Sequence, residues 1–199
     1  MDTKLELLKA RLNKIGERIS SPAFLSNEGI GNELGIYVFD YAPQFEMTVR
    51  EHVEMLVTGL NRSLSSSVYL HINLFFLVVQ YLKKRELLDE IIALEKSSGT
   101  EEILAAFDDI LSPDTLCEFL VQSNDVKTAK TILLSGVGSC WPFVRAHTIL
   151  NNLQNYVRST PVILFYPGQY SGQDLKPFGI PNLKGNYYRA FPLIDQRSL

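Results

Sequence analysis

Residues that usually carry chemistry are scarce in this chain of 199 residues, which has two cysteines, three histidines and one tryptophan. Cys117, Cys140, His52, His71 and His147 form no CxxC, HxxxH or HExxH spacing. Tetrahedral metal sites draw on several closely spaced ligands, so the pattern supplies no zinc site. Charge of one sign is also scarce, with a formal net charge of -3. Proteins that grip the DNA backbone carry a strong basic excess, so the balance argues against direct nucleic-acid binding by the isolated chain. Long apolar runs are missing too. The most apolar stretch, Val68 to Leu82, is shorter than a membrane span and is interrupted by His71, Asn73 and Gln80. The opening segment "MDTKLELLKARLNKIGERIS" is charged throughout, with no apolar signal region. These absences lead us to expect a soluble cytoplasmic protein with reduced cysteines, no membrane contact and neither metal nor cofactor.

What is present is an ordinary globular composition, 46% hydrophobic and 21% charged, of a length that suits one domain. Leu5, Leu8, Leu12, Ile15 and Ile19 recur at steps of three and four. That predicts an amphipathic helix over residues 2–19, lying on the domain's own core or offered to a partner. "IYVFDY" (Ile36 to Tyr41) and "SVYLHI" (Ser67 to Ile72) are rich in β-branched and aromatic residues and read as strands. Between them, Phe45, Val49, Val53, Leu56, Val57 and Leu60 fall on one helical face. A long helical pattern follows from Asn73, its cap, toward Gly99, and another opens at Ser112 and Pro113. "TILLSG" and "TPVILFYPG" (Thr160 to Gly168) are apolar throughout, as are strands buried on both faces of a parallel sheet. "NYYRAFPLI" (Asn186 to Ile194) reads as a strand that Pro192 confines to an edge or an end. Strands alternate with helices, so we expect a single α/β domain over 1–199. It would have three layers and a mainly parallel central sheet of about five strands, resembling a P-loop or Rossmann-like fold without the phosphate-binding motif.

Ligands of such sheets sit beyond the carboxyl ends of the strands. There the sequence places Asp40 and Tyr41, then His71 and Asn73, then Ser135, Gly136, Gly138 and Ser139, then Tyr166, Pro167 and Gly168. A phosphate-cradling loop needs GxxxxGK[ST], because lysine answers the outer phosphates and the hydroxyl holds magnesium. "GVGSCWPF" has neither. In the dinucleotide pattern GxGxxG, Trp141 stands in the third glycine's place. Ser139 suits an N-cap, with Pro142 in the first turn of the helix that follows. Three readings of the loop stay open: a structural turn, a protein-contact edge, or an anion site in which Arg145 or Arg189 adds charge. The following helix puts His147 and Asn151 on one face. Cys140 at a helix N-terminus could gain thiolate character, with His147 or His71 as base. No GxSxG elbow surrounds Ser135 or Ser139.

"LLSGVGSCWPFVRAHTILNNLQ", then "TPVILFYPGQYSGQDLKPFG" and "NYYRAFPLI", with "SSPAFLSNEGIGNELGIYVFDYAP" upstream, resemble the BrxB family of bacteriophage exclusion (BREX) systems. The resemblance runs from about residue 20 to residue 194. It implies a small, non-catalytic adaptor of a bacterial anti-phage system, acting through other BREX proteins, notably the alkaline-phosphatase-like PglZ component. It supplies no catalytic residue. The motif positions that match are Gly136, Gly138, Ser139, Pro142, Arg145 and His147; Pro167, Gly168 and Tyr170; and Asn186, Tyr187, Tyr188 and Arg189. Together with Trp141, Asn151 and Tyr166 these are the candidate binding residues, as an interface or an anion loop; no catalytic residue is assigned. The alternative function is a nucleotide- or anion-binding regulatory module without hydrolysis.

Overall fold

A computed structural model describes residues 3–26, 35–62, 68–157, 160–180 and 186–195. Three helices open the chain: α1 (Thr3–Asn13), α2 (Ile15–Ser20) and α3 (Pro22–Leu25). The helix expected over 2–19 is thus two, parted at Lys14, and Asp2 lies outside the described residues. Its apolar stripe is spent on the protein's own core, where Leu8, Leu12, Ile15 and Ile19 pack against the sheet. β1 (Ile36–Tyr41), α4 (Glu46–Arg62), β2 (Tyr69–Asn73) and α5 (Leu74–Lys84) follow. Ser67, expected to begin β2, lies outside the described residues. Asn73 caps α5 as its sequence suggests, its Oδ1 accepting from the N–H groups of Phe75 and Phe76 at 3.0 and 3.3 Å.

The long helix expected up to Gly99 breaks at Glu86, which has φ 60. It continues as α6 (Leu88–Ser98), and Gly99 joins α6 to α7 (Thr100–Ile110). α8 (Pro113–Ser123) starts at the predicted Ser112 cap. Then come β3 (Thr131–Ser135), the single turn α9 (Val137–Cys140), α10 (Ala146–Leu153) and β4 (Val162–Tyr170). β5 (Asp174–Pro177), β6 (Asn186–Tyr187) and β7 (Phe191–Pro192) complete the order. "NYYRAFPLI" therefore gives two short strands instead of one, because Tyr188 to Ala190 turn away to be pinned by other side chains.

Five strands run parallel in the order β2-β3-β4-β1-β7, and β7 forms the edge at which Pro192 was expected. The chain passes from β1 over β4 and β3 to reach β2, then works back to β4 and crosses β1 to reach β7. The order reverses at the β1–β4 pair, whose register runs from Ile36↔Val162 to Tyr41↔Pro167. β4 outruns this ladder, and its last residues pair antiparallel with β5, from Gly168↔Pro177 to Tyr170↔Leu175. Alternate residues of each strand serve opposite layers. Tyr37, Phe39, Leu133, Ile163 and Phe165 meet α1–α4, while Ile36, Val38, Ile132, Leu134, Val162 and Leu164 meet α5, α7, α8 and α10. This is the α/β fold, with a mostly parallel sheet between helical layers, that the sequence pattern implies.

Candidate functional site

The strand ends that gather chemistry all open on one edge of the sheet, and the hollows there follow from the reversal of strand order. The first lies where a nucleotide's phosphates would sit against the end of β1. Arg11 fills that role from within the protein: its Nη2 meets Asp40 Oδ1 at 2.9 Å, its Nη1 donates to Asp40 O at 2.9 Å, and its guanidinium stacks over Phe39 at 4.5 Å. Asp40 Oδ2 accepts the N–H of Tyr170 at 3.1 Å. A carboxylate turned toward this hollow repels phosphate, and the arginine that would attract it is already engaged. Asp40, Gly168, Gln169 and Phe178 line the space, about 330 Å³.

On the other face, a pocket of about 260 Å³ opens between α9, the start of α10 and the β4–β5 hairpin. Gly138, Trp141, Arg145, His147 and Tyr166, all singled out in the sequence, line it together with Pro167, Leu175, Pro177 and Phe178. The sequence-stretch "DLKPFG" contributes walls that periodicity could not foresee, because they arrive by hairpin pairing with β4. Trp141 stays 40% exposed and meets the ring of Phe178 edge-on at 5.5 Å. Tyr166 is buried, which pushes its phenol pKa up and keeps it a neutral donor. His147 at the rim is held below its ordinary value by burial and then by Arg145.

The glycines of the loop have packing reasons. Gly136 adopts the left-handed conformation at φ 72, and a Cβ there would collide with the Asn73 carboxamide that caps α5. A Cβ on Gly138 would stand 2.8 Å from Pro167 Cγ. One on Gly168 would meet the carbonyl of Lys176 across the hairpin. The helix expected to start at Ser139 does not form there. Trp141 takes an extended conformation, as residues before proline do, and α9 stops at Cys140. α10 begins four residues after Pro142, with Arg145 as an N-cap that makes no side-chain cap bond. Ser139 is exposed on α9 outside the pocket, and Asn151 is exposed one turn beyond His147 on α10.

The remaining candidates sit apart from this pocket. Tyr170 staples the C-terminal segment: its hydroxyl accepts from Ala190 N–H at 2.8 Å and donates to Ala190 O at 2.7 Å. Tyr188 is buried and its hydroxyl accepts from Gln154 Nε2 at 3.0 Å; burial pushes its pKa up to about 12. Asn186 and Tyr187 form β6, where Tyr187 is 70% exposed, and Arg189 is exposed nearby. The helix N-terminal position expected for Cys140 is not the one it takes. It ends α9 instead of heading a helix, and burial pushes its thiol up to about 12. Sequence reasoning missed a pair across two strands, in which His71 Nε2 and Ser135 Oγ lie 2.7 Å apart in the layer facing α4. Among the described residues, no group of three or more His, Cys, Asp or Glu is placed to hold a metal ion. No helix of the described residues is long and apolar enough to cross a membrane.

Fold and site together define an open α/β protein whose carboxyl edge carries an aromatic, basic pocket in place of a phosphate loop. The chain belongs to the BREX protein BrxB family, whose model matches residues 70–193. A BREX protein BrxB of Escherichia coli O9:H4 (strain HS) is 35% identical over 188 residues, 94% of this chain and 92% of that protein. One from Bacillus cereus (strain H3081.97) is 38% identical over 200 residues, 95% of this chain and 98% of the relative. No solved structure matches the chain. The chain is accordingly a component of a BREX phage-defence system.

Proposed function

We propose that the chain is a non-catalytic adaptor of its BREX system, acting in the cytoplasm. It docks through the carboxyl edge of its sheet onto another BREX protein, foremost the alkaline-phosphatase-like PglZ component. One observation carries this reading: large apolar side chains left exposed follow the ends of the parallel strands. Met47 (59%) comes after β1, Phe75 (42%) and Phe76 (53%) after β2, Trp141 (40%) after β3, and Ile180 (44%) beyond the hairpin that extends β4. Aromatic side chains are the usual anchors of protein interfaces, and water-exposed apolar clusters mark such surfaces.

Co-expression of the two proteins, followed by gel filtration at micromolar concentration, tests it. Co-elution is expected, and Phe75→Asp/Phe76→Asp should abolish it while leaving the thermal midpoint within a few degrees of the parent. Separate elution of the unsubstituted pair refutes this partner.

A further inference from the structure

We propose that the pocket between α9, α10 and the β4–β5 hairpin binds a small planar anion of the size of a nucleoside monophosphate, its ring against Trp141 and Phe178 and its anionic group at Arg145 and the first turn of α10. This goes beyond the adaptor reading and does not depend on it.

Four features of the pocket converge. Tyr166 is only 4% exposed, it lines the pocket, and its hydroxyl has no hydrogen-bond partner among the described residues. That hydroxyl is not among the side-chain atoms closed off from solvent without a partner, so it stays open to a donor or acceptor from outside. The second feature is the uncapped start of α10, a helix of eight residues. The N–H groups of Thr148 and Ile149 turn to the Arg145 carbonyl, at 3.1 and 3.3 Å. Those of Ala146 and His147 have no acceptor among the described residues, and both residues line the pocket. Helix N–H groups in this position favour an anion.

Third, Arg145 is exposed and makes no ion pair among the described residues. The pocket lining includes no carboxylate. A chain of net charge -3 thus leaves a guanidinium beside two open N–H groups. Fourth, Trp141 and Phe178 meet edge-on at 5.5 Å, which leaves the exposed indole face as a platform for a flat ring.

Size then selects among anions. Ligand pockets for drug-sized molecules run from about 300 Å³ upward, and this one holds about 260 Å³. It suits a base with one phosphate and is short for a triphosphate or a dinucleotide. The loop before it, Gly136 to Ser139, is not the anion site: α9 has four residues, and Gly136 faces the Asn73 side chain instead of the pocket.

The protein reports on the pocket itself, because Trp141 is the chain's one tryptophan. Titration of the full chain with AMP, GMP, CMP and UMP, followed by tryptophan emission and by calorimetry, tests the proposal. Saturable binding of at least one monophosphate is expected. The matching nucleoside and inorganic phosphate alone should each bind at least tenfold more weakly. Arg145→Ala should weaken binding at least tenfold and Tyr166→Phe severalfold, with unchanged circular dichroism. Should Tyr166→Phe fail to fold, Arg145→Gln at the exposed rim supplies the same comparison. The proposal is overturned if no monophosphate saturates at a few millimolar, if the triphosphate binds as tightly, or if the Arg145 variants bind as the parent does. Partner co-elution is read independently, so failure of either result leaves the other standing.

Discussion

Gly136 shows how much one residue can hold in this fold. Its φ of 72 and the Asn73 carboxamide beside its Cα leave no room for a side chain. An L-residue in that backbone region costs about 1–2 kcal/mol before any collision is counted. Gly136→Ala is therefore expected to destabilise by about 2 kcal/mol or more in urea titrations, because Asn73 must also give up its place as the cap of α5. Gly59 is the counterpart. It lies in α4 with open space where a Cβ would point, so Gly59→Ala should gain about 0.5–1 kcal/mol. From the sequence, the two differ only in context. "SGVGS" resembled a loop for phosphate because its glycines permit a turn; their packing against Asn73 and Pro167 depends on contacts from elsewhere in the chain. Residues whose role is local were legible: Asn73 and Ser112 cap the helices that their positions suggest. Tyr170 and Tyr188 were noticed but not understood, since their partners lie across the fold.

Elements were legible in proportion to the strength of their own periodicity. β1, β3 and β4 announced themselves as β-branched runs, and α4 by its apolar face. The break at Glu86, the separate α7 and the strand β5 did not. A helix pattern carries across a few non-helical residues without a mark, and β5 pairs with the end of β4. The tie between α1 and β1 was equally hidden. Arg11 lies off the apolar stripe of α1, yet its side chain and that of Asp40 are 11% and 14% exposed. Removing one partner of a buried ion pair strands the other and costs about 3–5 kcal/mol. Arg11→Met should lose about 3 kcal/mol in guanidinium titrations, with Arg11→Met/Asp40→Leu recovering part of that loss.

At the scale of the whole molecule, the histidines tie stability to acidity. Burial holds His52 and His71 below the ordinary value of 6.5, and His147 is lowered too. Above that value both folded and unfolded chains carry these rings neutral, so stability is flat. Below it the unfolded chain takes up protons more readily, and stability falls until the folded rings also titrate. Urea midpoints should drop between about pH 6.5 and 5.5, before carboxylates dominate. His71→Gln should flatten the slope, as Glu54 alone favours the charged ring at that site. The strand order itself was beyond the sequence: alternation predicts a parallel sheet, but which strands become neighbours is decided by crossovers that leave no local trace. That order has an outcome at Phe178, whose backbone sits at φ 57. The same ring borders the basic pocket on one side and the Arg11–Asp40 hollow on the other. It is a party wall: whatever leans on it from one room changes the dimensions of the next.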